Sequence, residues 1–142
     1  MAGSLKPRQL KSAIIGMVPI SICINLFGPL GIAGGGLSLF AIAWAVAYNL
    51  YFKFNLLSPL PYAVAFSALP TSIAFSKSEL PPLWMWLGGA TFGMAAHFIN
   101  VIKDMEEDRV SKIGGLPQKL GTRKSFAVAL VLIVSGLYLI FR

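Results

Sequence analysis

Acidic residues are scarce in this sequence. There are five among 142 residues, against twelve Lys and Arg, and charged residues of both signs make up only 12%. A soluble domain carries about 25% charged residues, so this composition would leave far too much apolar surface facing water. With 56% hydrophobic residues and a mean hydropathy of +0.75, the natural solvent is a bilayer. Cysteine is scarcer still. A single one, Cys23, excludes an intramolecular disulfide and any multi-cysteine metal site. In its apolar run it reads as a small packing residue. The net charge of +7 does not point to nucleic acid, because the basic residues are not interleaved with an RNA- or DNA-binding module. In a membrane chain, positive charge sets topology.

What is abundant is apolar sequence in five blocks: Ala13–Leu30, Leu37–Phe52, Leu60–Ser76, Leu83–Ile102 and Phe126–Phe141. The breaks are chemically marked by FGPLGIAGGG, KFNLLSPLP, KSELPP and a charged stretch that runs on to TRKS. About 20 apolar residues cross a hydrocarbon core at roughly 1.5 Å each. Two of the blocks are short, so tilt, extended ends or local thinning must help them across. The pattern predicts an all-α membrane protein with five transmembrane helices. Lys6, Arg8 and Lys11 ahead of an apolar run imitate a signal peptide, but Pro19 and Asn25 interrupt that run, and GIAGGG reads as a tight outer loop rather than a cleavage site.

Placing the N-terminus on one side puts ten basic residues there: Lys6, Arg8, Lys11, Lys53, Lys103, Arg109, Lys112, Lys119, Arg123 and Lys124. Lys77 and Arg142 fall on the other. The positive-inside rule predicts that the N-terminus and the segment around Asp104 are cytoplasmic and that the C-terminus is outside.

Four of the few acids, Asp104, Glu106, Glu107 and Asp108, crowd into one short stretch, NVIKDMEEDRV. Asn100, Asp104 and Asp108 are spaced i, i+4, i+8, and on a helix such residues share a face, drifting by about 40° per step. Extended backwards, that face meets His97, Gly93 and Gly89. GATFG is a G-x-x-x-G pattern that permits close helix approach, so the stripe looks towards other helices or a cavity. Oxygen ligands on one face suit a hard cation. Mg²⁺ takes one or two carboxylates, keeps waters and completes its shell with substrate phosphate. Lys103, Arg109, Lys112 and Lys119 lie close by in sequence and suit the phosphate side of such a complex. A second reading stands beside this one: charges at a helix end, solvated and loosely paired with neighbouring Lys and Arg. Glu106 and Glu107 are off the stripe and read as solvated. His97 reads as a hydrogen-bonded packing histidine.

The stretch HFINVIKDMEEDRVSKIGGLPQKLG resembles the second aspartate-rich motif of the UbiA family of intramembrane prenyltransferases. The matching positions are Asn100, Asp104, Asp108, Arg109, Leu116, Pro117, Leu120 and Gly121. AYNLYFKFNLLSPLPYAVAFSALP resembles the family's helix ending in Tyr…Lys followed by a proline-bounded helix, with Tyr48 and Lys53 as the matching residues. The wording of both is closest to a bacterial subgroup, which implies a bacterial plasma membrane. The resemblance implies a nine-helix bundle around a central cavity, of which this chain is a part. It implies Mg²⁺ as cofactor, held by Asn100, Asp104 and Asp108, with Asp104 and Asp108 as the catalytic carboxylates. It implies diphosphate binding by Lys53, Arg109, Lys112 and Tyr48. Its substrates are a prenyl diphosphate and an acceptor small molecule, often aromatic.

The sequence departs from that pattern in having no aspartate besides Asp104 and Asp108, so the family's first aspartate-rich motif is not within it. MAGSLKPRQLKSAI resembles the segment just after that motif. Met1 then reads as an internal methionine, and the five blocks as family helices three to seven. The expectation is a gene fragment, a misplaced start, or one part of a split enzyme whose other half would be its partner. The competing class is a small multi-pass transport or scaffold protein without catalysis. A transporter would place its ionisable residues nearer mid-membrane. A phosphatidyltransferase would need several Asp around an Asp-Gly and Ala-Arg core, which is not present.

Overall fold

The computed structural model describes residues 7–142. Met1 to Lys6 lie outside the described residues, and with them Lys6 of the basic tally and the opening of MAGSLKPRQLKSAI. The elements are α1 (Pro7–Phe27), α2 (Gly31–Leu50), a 3-10 turn at Phe52–Phe54, α3 (Leu60–Ser76), α4 (Leu83–Val110), the short α5 (Leu116–Leu120) and α6 (Thr122–Phe141). Among the described residues there is no strand. Four helices, α1, α2, α4 and α6, are long and apolar enough to cross a membrane, and α3 is a shorter apolar helix. This is an all-α membrane protein.

Short connections make sequential neighbours antiparallel. Helix α1 packs on α2, α2 on α3, α3 on α4, and α4 on α6. The end of α2, the start of α3, the end of α4, all of α5 and the start of α6 therefore gather at one end of the bundle.

Small side chains make the seams. The buried hydrophobic positions are Ala41, Ala63, Ala65, Ala68, Ala74, Ala95, Phe98, Val101 and Ala129. Lipid tails are as apolar as leucine, so helices in a bilayer associate through close packing and hydrogen bonds rather than through expulsion of water. Large apolar side chains such as Ile15, Phe40, Ile73 and Val131 point outward instead. No residue of α1 is buried.

Two boundaries differ from those read in the sequence. The glycine run GIAGGG, read as an outer loop, forms the first turns of α2. A Cβ on Gly34 would strike the Ser72 carbonyl of α3, and one on Gly35 the Asn25 carbonyl of α1. The glycines are there for backbone approach on two sides of one helix, not for a turn. The fourth apolar block, read as ending at Ile102, continues as α4 to Val110, and the charged stretch beyond it contains α5. Four-residue charge spacing continues the helix beyond its apolar part, and charged residues in water are compatible with helix.

Pro70 sits inside α3. It removes the N–H that would bond the Phe66 carbonyl, and the bare backbone of Gly89 in α4 packs directly against that carbonyl. Nearby, the Ser67 hydroxyl donates to the Trp86 carbonyl at 2.8 Å, tying α3 to α4. The Thr71 hydroxyl is directed at both the Ser67 and Ala68 carbonyls at 2.9 Å. Backbone polarity exposed by a proline within the membrane is met by hydroxyls and by a neighbouring helix.

Candidate functional site

The stripe on α4 runs from core to surface. Gly93 is buried against the Tyr62 carbonyl and the Phe66 side chain of α3. One turn on, His97 is buried at 1% exposure. Asn100 and Asp104 are exposed and Asp108 is half-buried. Small residues deep in the bundle bring α4 against α3, and the polar residues emerge where the helices end.

His97 is enclosed by aromatic rings. Tyr62 of α3 lies 4.7 Å from it between centroids, Tyr48 of α2 5.5 Å, and Phe98 6.0 Å. Tyr48 and Tyr62 meet edge-on at 5.1 Å, an arrangement favoured by ring quadrupoles. A cavity of about 280 Å³ opens between α2 and α3, lined by Ala45, Tyr48, Asn49, Pro61, Tyr62, Ala65 and Phe66. Tyr48 thus touches both this cavity and His97 of the stripe.

The segment after α4 is anchored at three consecutive residues, by the turn before α3 and by two helices. The Leu116 N–H donates to Ser58 Oγ, just before α3, at 3.0 Å. The Ser125 hydroxyl of α6 donates to the Pro117 carbonyl at 3.0 Å. The Gln118 side-chain amide donates to Asp108 Oδ2 of α4 at 2.7 Å. Ser58 Oγ also shares a hydrogen bond with His97 Nε2 at 3.1 Å. Ser58, Pro117 and Ser125 are almost completely buried. The Leu-Pro…Leu-Gly stretch is therefore the element that closes this end of the bundle.

Its geometry begins at Lys112, which has φ 56°. The Ile113 N–H donates to the Asp108 carbonyl at 2.9 Å and the Lys112 N–H to the Arg109 carbonyl at 3.3 Å. That is a Schellman ending with a lysine where glycine is usual. The segment ends at Gly121, φ 77° and ψ 167°, a region open essentially to glycine alone.

The structure separates some of the expected site residues. Arg109 lies roughly 180° around the helix from Asn100, as nine residues at about 100° each require. Arg109 and Lys112 line a second cavity of about 490 Å³ with Met105, Glu106, Ile113 and Gln118. Lys53 is half-buried in the 3-10 turn, its ammonium 5.0 Å from the centre of the Phe54 ring. Among the described residues, Asp104, Glu106, Glu107 and Asp108 form no ion pair with Lys or Arg. Asp104, Glu106 and Glu107 are exposed at the helix end, as the solvated reading expects, but without the loose pairing to Lys or Arg.

Two carboxylates and an amide stand on one face. Among the described residues no three of His, Cys, Asp or Glu cluster closely enough to hold a metal. The donor set is all oxygen and incomplete, which fits a hard cation whose shell is finished by water and phosphate. It does not fit a closed protein cage. Sequence reasoning missed Ser58, Tyr62 and Gln118. Ser58 carries no periodic signal. Gln118 stands in the Leu-Pro…Leu-Gly stretch at a position that the resemblance leaves unspecified, ten residues after its partner.

The sequence model of the UbiA prenyltransferase family matches residues 1–142. No curated protein and no solved structure matches the chain.

Proposed function

The chain belongs to the UbiA prenyltransferase family, and from that premise we propose that it is part of a membrane enzyme that moves a prenyl group from a prenyl diphosphate to an acceptor, often aromatic, with Mg²⁺. The observation that carries this is the face of Asn100, Asp104 and Asp108 at the end of α4, which among the described residues makes no ion pair with Lys or Arg and continues the stripe of His97, the ring that Tyr48 of the aromatic cavity meets. These three side chains would hold the Mg²⁺, which when bound supplies positive charge to the departing diphosphate. Lys53, Arg109 and Lys112 add fixed cationic charge around the same helix ends, favouring the trianionic or dianionic leaving group. Tyr48 and Tyr62 line the cavity, where electron-rich aromatic surface favours cationic character at the allylic carbon. The apolar lining of Ala45, Ala65 and Phe66 limits the water available to quench it. The bond broken is that between prenyl carbon and diphosphate oxygen. The acceptor carbon or heteroatom forms the new bond and gives up its proton.

The asymmetry of basic residues supports a cytoplasmic position for this end of the bundle, and the resemblance of the motifs to a bacterial subgroup supports a bacterial plasma membrane. A transport or scaffold role finds no comparable support, since Asp104, Asp108, Lys112 and Lys119 crowd one end of the bundle rather than mid-span.

The test is transfer of a labelled prenyl group from its diphosphate, in membranes containing the protein, scanned over several aromatic acceptors. Asp104→Ala and Asp108→Ala are expected to abolish transfer, and Lys53→Ala to weaken diphosphate binding mainly. Glu106→Gln, off the stripe, is expected to be nearly silent. Transfer that survives both aspartate substitutions would exclude the proposal.

A further inference from the structure

Asp108, half-buried where Asp104 is exposed, also has a partner. Gln118 Nε2 donates to Asp108 Oδ2 at 2.7 Å. A carboxylate can only accept when ionised, so the amide nitrogen must face it. The bond occupies one oxygen and restrains the rotation of the carboxylate, leaving Oδ1 with no protein partner among the described residues. Gln118 itself is not free to swing. Leu116 and Pro117, its immediate predecessors, are fixed by Ser58 and Ser125, and Pro117 is fully buried. Gln118 also lines the cavity that contains Arg109 and Lys112, and its Oε1 is buried without a partner among the described residues. One side chain therefore joins the carboxylate face to the basic cavity.

We propose that Gln118 is a positioning residue, acting through Asp108, that holds the carboxylate in the orientation from which it contacts the metal–diphosphate. The proposal rests on the function given above. The reason is general. A ligating carboxylate is oriented by its own hydrogen-bond partner, and removing such a partner weakens metal binding about 10- to 100-fold. A side chain on a backbone held at Leu116 and Pro117 is a stiffer partner than solvent. It also reports on the return segment: a shift at Leu116 or Pro117 would be felt at Asp108.

The experiment uses the purified full chain in detergent, with Mn²⁺ and inorganic diphosphate as probe and bound Mn²⁺ read by electron paramagnetic resonance. Gln118→Met keeps the length of the side chain and removes the donor. It is expected to weaken Mn²⁺–diphosphate binding about tenfold or more while the unfolding temperature is retained. Asp108→Asn is expected to weaken binding too, and Gln118→Met added to it should cost nothing further, because the two act as one unit. Normal binding by Gln118→Met beside weakened binding by Asp108→Asn overturns the inference and leaves the function standing. Equal losses in the presence and absence of the Asp108 carboxylate also overturn it, since Gln118 would then act independently. Binding unaffected by Asp108→Asn, or no binding by the unsubstituted chain, overturns both.

A second measurement needs no folded variant at position 118. The chain has two glutamines, Gln9 and Gln118, so selective ¹⁵N-glutamine labelling yields two side-chain amide pairs, told apart by Gln9→Asn. The Gln118 pair is expected to shift on addition of Mg²⁺ and inorganic diphosphate while the Gln9 pair stays. A stationary Gln118 pair under conditions in which Mn²⁺–diphosphate binds overturns the inference.

Discussion

Ser58 does more than its size implies. Its single oxygen satisfies the Leu116 N–H and holds His97 Nε2, so a loop, the start of α3 and the middle of α4 meet at one atom. Removing it strands a buried donor on the backbone and a buried ring nitrogen at once, and each such group costs about 1–3 kcal/mol. Ser58→Ala is expected to destabilise the protein by at least that much, measured as unfolding in mixed detergent. Ser111→Ala, at an exposed position with no side-chain bond among the described residues, is the control and should be within about 0.5 kcal/mol of the unsubstituted chain. His97 was legible from sequence as a packing histidine, because a lone histidine in apolar surroundings needs a hydrogen bond. Which residue would supply that bond was not, since the partner is 39 positions away and nothing in local periodicity encodes so distant a contact.

At the scale of the element, the segment between α4 and α6 is set by two left-handed residues. Gly121 has φ 77° and ψ 167°, and no neighbouring atom lies within 4 Å of where a Cβ would stand. The penalty of a side chain there is thus entirely conformational. Gly121→Ala is expected to cost about 1–3 kcal/mol, visible as a lower unfolding temperature. If stability is unchanged, the segment can adopt another path into α6. Lys112 is the contrasting case, a residue with a side chain at φ 56°, where glycine would relieve the strain. The helix content was readable from the apolar blocks and their proline-marked breaks, and Leu60–Ser76 has the same bounds in both. The glycine run of α2 was misread because glycine signals a turn and a close helix contact with the same letter. Only the opposing Ser72 and Asn25 carbonyls tell them apart. The continuation of α4 to Val110 was obscured in a similar way, since a cluster of charges marks both loops and solvated helix.

For the whole molecule, orientation is the measurable property. With the Asp104 end in the cytoplasm, a cysteine introduced as Ser111→Cys in a Cys23→Ala background should resist an impermeant thiol reagent on intact cells and react once the cells are opened. Labelling from outside would reverse the topology, and with it the side from which a diphosphate arrives. The stripe of Asn100, Asp104 and Asp108 was legible as one helical face. The same spacing puts Arg109 on the far side of α4 from Asn100, but it does not show which side closes against α5, and so it does not show that Arg109 and Lys112 line a cavity with Gln118.

The threefold anchoring of residues 116 to 118 also has a meaning in time. A ribosome delivers Ser58 first, His97 next, then Asp108, and only afterwards Leu116, Gln118 and Ser125. For the whole of that interval Asp108 is in the growing chain without its amide partner, and Ser58 waits with one bond unmade. Ser125, which seats the Pro117 carbonyl, is the last of these partners to be made. The anchoring of the segment beside Asp108 is consequently complete only once the first turn of α6 has been synthesised.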